Sequence, residues 1–388
     1  MATRTKTPTD SGIRAEPFQS NFTGGEFSPL LHGRPDIGKY KDAVDTMINF
    51  VVFPHGPADK RAGTRHITTV KTQSAITRLI PFIFNTVQAY VLEFGNLYIR
   101  FYKNEGQILS GTTAYEVVTT FTTAEIPDIT YVQSADVLYL CHPNHRPQEL
   151  TRTGDTAWTI SDYDYGDGPY LANNTTAITL TPSGTSGSIS ITASAPLFTS
   201  AAVEIGRMVR IEQSDEWGAA IITAFSSTTV VTATVIDDDD SAFLNTSSVT
   251  TWRLGAWYGT ANWPSATPTF FENRLVFGAT TGEPNAFWAS RSSDFNSHKP
   301  TARDGAVTDS HAINRIITDN QVNAIFWLTV DNAFMFAGTS DGPFKIWSGR
   351  SDQAFAPASV KVDKQTEDGA GDIRPLKAGD AVLYVSRS

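Results

Sequence analysis

Five stretches of this chain share one layout: an apolar strand, a polar turn and a second apolar strand. They are Phe82–Phe94, Tyr131–Leu140, Phe270–Gly278, Phe326–Phe336 and Leu376–Val385, with turns near Val87, Asp136, Asn273, Asn332 and Asp380. Successive turns lie about 50 residues apart, except across the long interval from Asp136 to Asn273. That interval returns to about the same length once residues 166–255 are set aside. A second motif follows the turn by 16 to 18 residues: Thr151–Asp155 around Arg152, Ser290–Asp294 around Arg291 and Gly349–Asp352 around Arg350. Lys103–Gly106 is its weaker counterpart in the first unit. A unit of about 50 residues with four short strands, burying its faces only against its neighbours, is the pattern of a β-propeller blade. A β-sandwich also repeats hairpins, every 8–12 residues or so, but the two linked spacings favour the propeller. The expected fold is therefore all-β: a propeller-like platform of about 50-residue blades with an inserted β domain and an extended N-terminal arm. The fifth unit is incomplete, because its arginine motif would fall beyond Ser388. Either the N-terminal region completes that blade, or the chain is short of its fold.

Between these landmarks the sequence reads as strand, in runs such as Tyr90–Phe94, Leu97–Tyr102, Val137–Leu140, Arg274–Phe277 and Ala333–Phe336. The best helical pattern is Arg34–Ile48, with Ile37, Tyr40, Val44 and Ile48 on one stripe and Pro35 near its start. Four regions follow: an arm and docking segment (1–66), the first blades (67–165), an inserted β-rich acidic module (166–255) and the remaining blades (256–388). The chain carries 30 Lys+Arg against 40 Asp+Glu, a net charge of −10. Residues 166–255 hold nine acidic and three basic side chains, so most of the excess sits there, in a stretch otherwise rich in Thr, Ser and Ala. An acidic balance argues against a protein whose task is to coat DNA phosphates. The single cysteine, Cys141, excludes an intrachain disulfide framework and a multi-cysteine zinc site. No apolar run reaches the roughly 20 residues of a membrane span, and Met1–Asp10 lacks a signal-peptide apolar region.

The most distinctive stretch is Asn21–Arg65. Glycines at 24, 25, 33, 38, 56 and 63 and prolines at 29, 35, 54 and 57 bend it often, between aromatic anchors at Phe22, Phe27, Tyr40, Phe50 and Phe53. Such a segment suits an arm laid over a preformed surface. Its wording resembles the opening of the tail nozzle proteins of short-tailed bacteriophages, the tail tubular protein B family. The shared positions are Phe22, Gly25, Glu26, Ser28, Pro29, Leu31, Gly33, Arg34, Asp36, Tyr40, Asn49, Phe50, Pro54, Gly56, Arg61, Gly63 and Thr64. Shorter phrases similar to the family recur at Gln148–Leu150, Gly168–Tyr170, Arg274–Phe277, Ser290–Ser292 and Gly338–Thr339.

The resemblance implies a structural protein of the virion tail, assembled in the host cytoplasm. In that family a ring, usually of six copies, docks below the portal and its adaptor ring, the head-tail connector. It continues the DNA channel and helps retain and then release the genome. The implied partners are other copies of the chain, the adaptor, tail fibres, and genomic DNA passing without sequence recognition. Assembly contacts are expected at Phe22, Gly25, Glu26, Phe27, Ser28, Pro29, Arg34, Asp36, Tyr40, Asn49 and Arg61, with an ion pair between Arg34 and Asp36. Family members run on past the phrase that looks like Pro375–Arg387, so the gate-forming part is expected in a second chain or in a reduced form. The alternative is a tail component that binds a host-surface glycan or receptor through residues 166–255; Trp217 and Trp252, with Trp257 and Trp263 just beyond, are stacking candidates, although such tryptophans are more often core residues.

Nothing in the sequence calls for catalysis or a cofactor. There is no G-x-S-x-G, P-loop or H-E-x-x-H motif, and no two acids can be assigned to a glycosidase pair. Among His32, His55, His66, His142, His145, His298 and His311, only His142-Pro-Asn-His145 has metal-like spacing. Zinc needs three or four ligands, so the pair reads as a polar turn and no metal is expected. Cys141 reads as a small buried residue. The acidic runs Asp237–Asp240 and Asp162–Asp167 lack a calcium loop's alternating ligands and closing Glu, and read as solvated loops.

Overall fold

The computed structural model describes residues 18–236, 241–319, 323–331, 333–350, 352–379 and 381–387. The Asp237–Asp240 run, the turn positions Asn332 and Asp380, and Met1–Asp10 lie outside these. The chain divides into two units, Met1–Ile67 and Thr68–Ser388.

In the larger unit the strands form where apolar and polar residues alternate. Along Ser188–Ala193, Ile189, Ile191 and Ala193 are buried while Ser188 and Thr192 are exposed; Val231, Ala233 and Val235 do the same along Val230–Val235. These strands belong to a six-stranded antiparallel sheet ordered Leu180–Pro182, Ser188–Ala193, Val230–Val235, Glu216–Ser227, Met208–Gln213 and Trp252–Leu254. The Thr/Ser-rich texture of this region is thus the wet face of a sheet whose other face has its own apolar cluster, including Ile191, Val209, Ile222 and Phe243.

Four further sheets share one topology, with four strands paired antiparallel in chain order. The first runs Arg78–Ile83, Ala89–Gly95, Tyr98–Lys103 and Glu116–Val118, with short Gly106–Gln107 added beside the third strand. The second runs Thr130–Ser134, Val137–His142, His145–Gly154 and Ala157–Asp162. The third runs Thr269–Phe271, Arg274–Gly278, Ala286–Ala289 and Ile313–Ile316; the fourth Ile325–Asp331, Phe334–Thr339, Gly342–Trp347 and Lys361–Lys364. Each opens on one of the repeated hairpins, and the fifth repeat is the hairpin Leu376–Ala378 with Ala381–Leu383. The fold is all-β. Its one α-helix among the described residues is Ala201–Glu204.

The sheets pack in neighbouring pairs. Ile80, Phe82, Leu92 and Phe101 of the first share a cluster with Leu138, Leu140, Leu150 and Trp158 of the second. Val276, Phe287 and Ile313 of the third share another with Leu328, Met335, Phe344 and Ile346 of the fourth. An aromatic cluster joins Tyr139 of the second sheet and Phe277 and Trp288 of the third to Tyr163, Tyr165, Trp257 and Trp263. Burial of each such side chain stabilises by about 1.5–3 kcal/mol. Two cross-strand pairs require glycine: a Cβ at Gly338 would lie 2.0 Å from the Trp327 ring, and one at Gly95 would lie 2.2 Å from that of Tyr98.

The arginine motif keeps its spacing but not its contacts. Arg152 reaches back to its own turn, with Nε 2.8 Å from Asp136 Oδ1, whereas Arg350 pairs locally and in solvent with Asp352.

The smaller unit corrects the helical reading of Arg34–Ile48. It holds 3-10 turns at Pro29–Leu31 and Gly38–Asp42, followed by an extended segment at Ala43–Val44 that pairs in parallel with Gly25–Glu26. Gly33 and Gly38 weaken a helix there, and no buried face exists for the stripe: Tyr40 and Val44 are half-buried and Ile48 is exposed. A hairpin, Phe50–Val52 with Ala58–Lys60, completes the unit.

Candidate functional site

Among residues 18–67, only Gly56 is buried. Local hydrogen bonds hold this segment in shape in place of a core. The Phe22 N–H donates to Gly56 O at 2.7 Å, and the Glu26 carboxylate accepts the Met47 N–H at 2.8 Å. The Ser28 hydroxyl oxygen caps the turn begun by Pro29, and the Arg61 N–H donates to Asn49 O at 2.8 Å. Gly25 and Asn49 both have positive φ, +63° and +61°, which suits their residue types. Phe27 and Tyr40 meet edge to face at 6.2 Å. Arg34 and Asp36 form a two-pronged ion pair at 2.8 and 2.7 Å, and the guanidinium holds the Asp36 carboxyl below its ordinary range. Both side chains are exposed, so the pair shapes the loop more than it stabilises it.

The apolar side chains of the segment point outward instead. Phe18 and Leu30 are 90% and 91% exposed, and Ile48, Phe50, Val51 and Phe53 are also exposed. Sequence reasoning named Phe22, Phe27 and Tyr40 as contacts, but these are half-buried within the segment. Leu30, Ile48 and Val51 were not among those expected contacts, and their exposure is set by the fold of the segment rather than by any local pattern.

In the larger unit the tryptophan candidates are interior. Trp217, Trp252, Trp257 and Trp263 are all buried, and Trp217 lies under the guanidinium groups of Arg210 and Arg253. None presents a face to an incoming sugar. The acids of Asp162–Asp167 diverge: Asp162 and Asp164 are exposed, while Asp167 is buried and accepts from Tyr170 and Ser241 hydroxyls. Cys141 is fully buried, and burial pushes its thiol pKa up. It is expected to stay unmodified by iodoacetamide in the folded chain and to react at once in denaturant; rapid native-state labelling would show that the strand is open.

His142 and His145 flank the tip of the second sheet's central hairpin, paired directly across Pro143 and Asn144. That is the turn expected from the sequence. The structure adds a carboxylate beside it, Glu125, whose Oε1 lies 3.0 Å from His145 Nε2.

No family model and no curated protein matches the chain. Among solved structures it is similar to a chain titled phage phi92 endosialidase, at 11% identity and a TM-score of 0.26, over 77% of this chain and 45% of that one. This chain therefore spans less than half the length of that protein, and a likeness at that score carries no argument about fold or activity. The class defined by the described residues is an all-β protein of repeated antiparallel four-stranded sheets, with an interrupting six-stranded sheet and an N-terminal segment that exposes its apolar side chains. No helix among the described residues is long and apolar enough to cross a membrane.

Proposed function

We propose that the chain is a structural subunit of a phage tail nozzle: a ring component that docks below the connector and continues the DNA channel. The observation that carries this reading is the coreless N-terminal segment. It displays Phe18, Leu30, Ile48 and Phe50 to solvent on a backbone held by its own hydrogen bonds. Large exposed apolar side chains gathered in one short segment suit a surface meant for a partner. The segment is also the stretch whose wording resembles the nozzle family most closely. On this reading the four chain-ordered sheets are propeller-like blades and the six-stranded sheet is the inserted domain. The shared clusters between neighbouring sheets make the platform a stiff wall. The net charge of −10 accords with a ring along which DNA slides rather than binds.

The test uses side chains that the fold itself does not need. In the double variant Leu30→Ser with Phe50→Ser, the free chain should melt within about 0.5 kcal/mol of wild type, as exposed positions do. Tails assembled with it should lack the subunit, and wild-type tails should carry it as a ring of six directly under the connector. Incorporation of the variant at wild-type copy number would overturn the docking role of this surface.

A further inference from the structure

The tip of the second sheet's hairpin adds to the His142–His145 pair a third donor, Glu125, that no sequence spacing announces. His142 and His145 leave adjacent strands with ring centroids 5.3 Å apart. Glu125 arrives from the segment just before the 3-10 turn Ile126–Asp128. One ligand atom from each of the three lies within 4.8 Å of the others.

Two of the three are already aimed. The Thr122 N–H and hydroxyl donate to Glu125 Oε2 at 2.9 and 2.8 Å, which leaves Oε1 turned toward His145. Thr120 Oγ1 lies 3.3 Å from His145 Nδ1, which orients that ring with Nε2 toward the carboxylate. Such outer hydrogen bonds are what fix imidazole and carboxylate ligands around a metal. His145 Nε2 is nevertheless buried without a hydrogen bond, because its contact with Glu125 has ion-pair distance but poor alignment. Phe121, buried, walls the site with its ring 4.9 Å from that of His145. His145 also borders a cavity of about 300 Å³ lined by Asn144, Arg146, Asp162 and Trp263, with room for water.

We propose that Glu125, His142 and His145 bind a zinc ion, with water as the fourth ligand, and that the ion clamps the Glu125 turn to the hairpin tip. Two imidazoles and one carboxylate form a zinc donor set with one open position. Ligand atoms about 2.0–2.1 Å from a tetrahedral ion lie roughly 3.4 Å apart, so the side chains close in on binding. One bond opposes this. The Asn144 N–H donates to His142 Nδ1 at 3.1 Å, which places the ring proton on Nε2. Zinc at Nδ1 displaces that turn bond directly, and zinc at Nε2 moves the ring proton to Nδ1 and breaks it as well, so the affinity falls below that of a closed four-ligand site. The inference is independent of the nozzle reading.

The probe is zinc chloride added to the full chain after dialysis against EDTA, read by isothermal titration and thermal unfolding. One zinc per chain at micromolar affinity or tighter, with a rise in Tm that EDTA reverses, is the expected result. Magnesium should produce no shift. His145→Ala should abolish the stoichiometric site, and Glu125→Gln, close to isosteric, should weaken it at least tenfold if His145→Ala fails to fold. His55→Ala with His66→Ala, which removes two exposed histidines, should change nothing. Absence of a one-to-one site, or binding that survives Glu125→Gln and disappears with His55 and His66, overturns the proposal.

Discussion

Replacing Arg274 by alanine should cost the larger unit about 3–5 kcal/mol, the range for disrupting a buried charged network. Arg274 is 1% exposed at the start of the second strand of the third sheet. Its guanidinium donates Nη1 to Ser290 O and His311 O, both at 2.7 Å, Nε to Phe355 O at 3.2 Å, and Nη2 to Asp309 O. Burial pulls its pKa down to about 10, with Asp309 opposing that shift, so the group stays charged at neutral pH. It therefore acts as one rigid fork tying three loops to the sheet. Alanine leaves three buried carbonyls and the part-buried Asp309 O without this donor and opens a cavity. Lysine keeps the charge but not the fork, and should fall between alanine and wild type. Urea unfolding followed by far-UV circular dichroism measures this. An alanine variant within about 1 kcal/mol of wild type would mean that water replaces the side chain.

The second large effect is on acid stability. His298 lies among Trp257, Tyr163 and Phe277, with its Nε2 3.2 Å from the Tyr163 hydroxyl and its Nδ1 without a partner. Burial pushes its pKa down to about 3. An unfolded histidine titrates near 6.5. Between these values the unfolded chain binds the extra proton, so the contribution is fully present above about pH 6.5 and is lost as pH falls toward 3. The slope of about 1.4 kcal/mol per pH unit gives a loss of roughly 2–3 kcal/mol between pH 6.5 and 4.5. His298→Phe keeps the aromatic packing and removes the titration, and Tyr163 still donates to Phe295 O. Its urea midpoint should therefore fall less steeply over that range. A residual slope is expected from His142 and His311, whose pKa values burial also lowers. Parallel curves for variant and wild type would show that His298 is not held neutral.

Much of the fold was legible because hairpins are local. The strands read at Tyr90–Phe94, Leu97–Tyr102, Val137–Leu140 and Arg274–Phe277 each lie within a residue or two of observed strands. Alternation and turn residues act over a few positions, and those positions fold next to one another. The helix read over Arg34–Ile48 failed for the complementary reason. Its stripe was real, but a stripe makes a helix only against a surface, and the segment supplies none of its own. Trp217, Trp252, Trp257 and Trp263 read more readily as core than as stacking residues, and all four are buried.

The sequence by itself determined the all-β class, the hairpin repeat and the turn at Pro143-Asn144, because each depends on φ/ψ preference and period within about ten residues. It also determined the resemblance carried by Asn21–Arg65. Only the tertiary structure decided that Glu125 stands beside His142 and His145, that Arg274 is satisfied by carbonyls from three loops, and that Leu30 and Phe50 face solvent. These depend on register and on which sheet faces which. Such contacts join residues 16 to 81 positions apart, where no local preference acts and only packing chooses the partner.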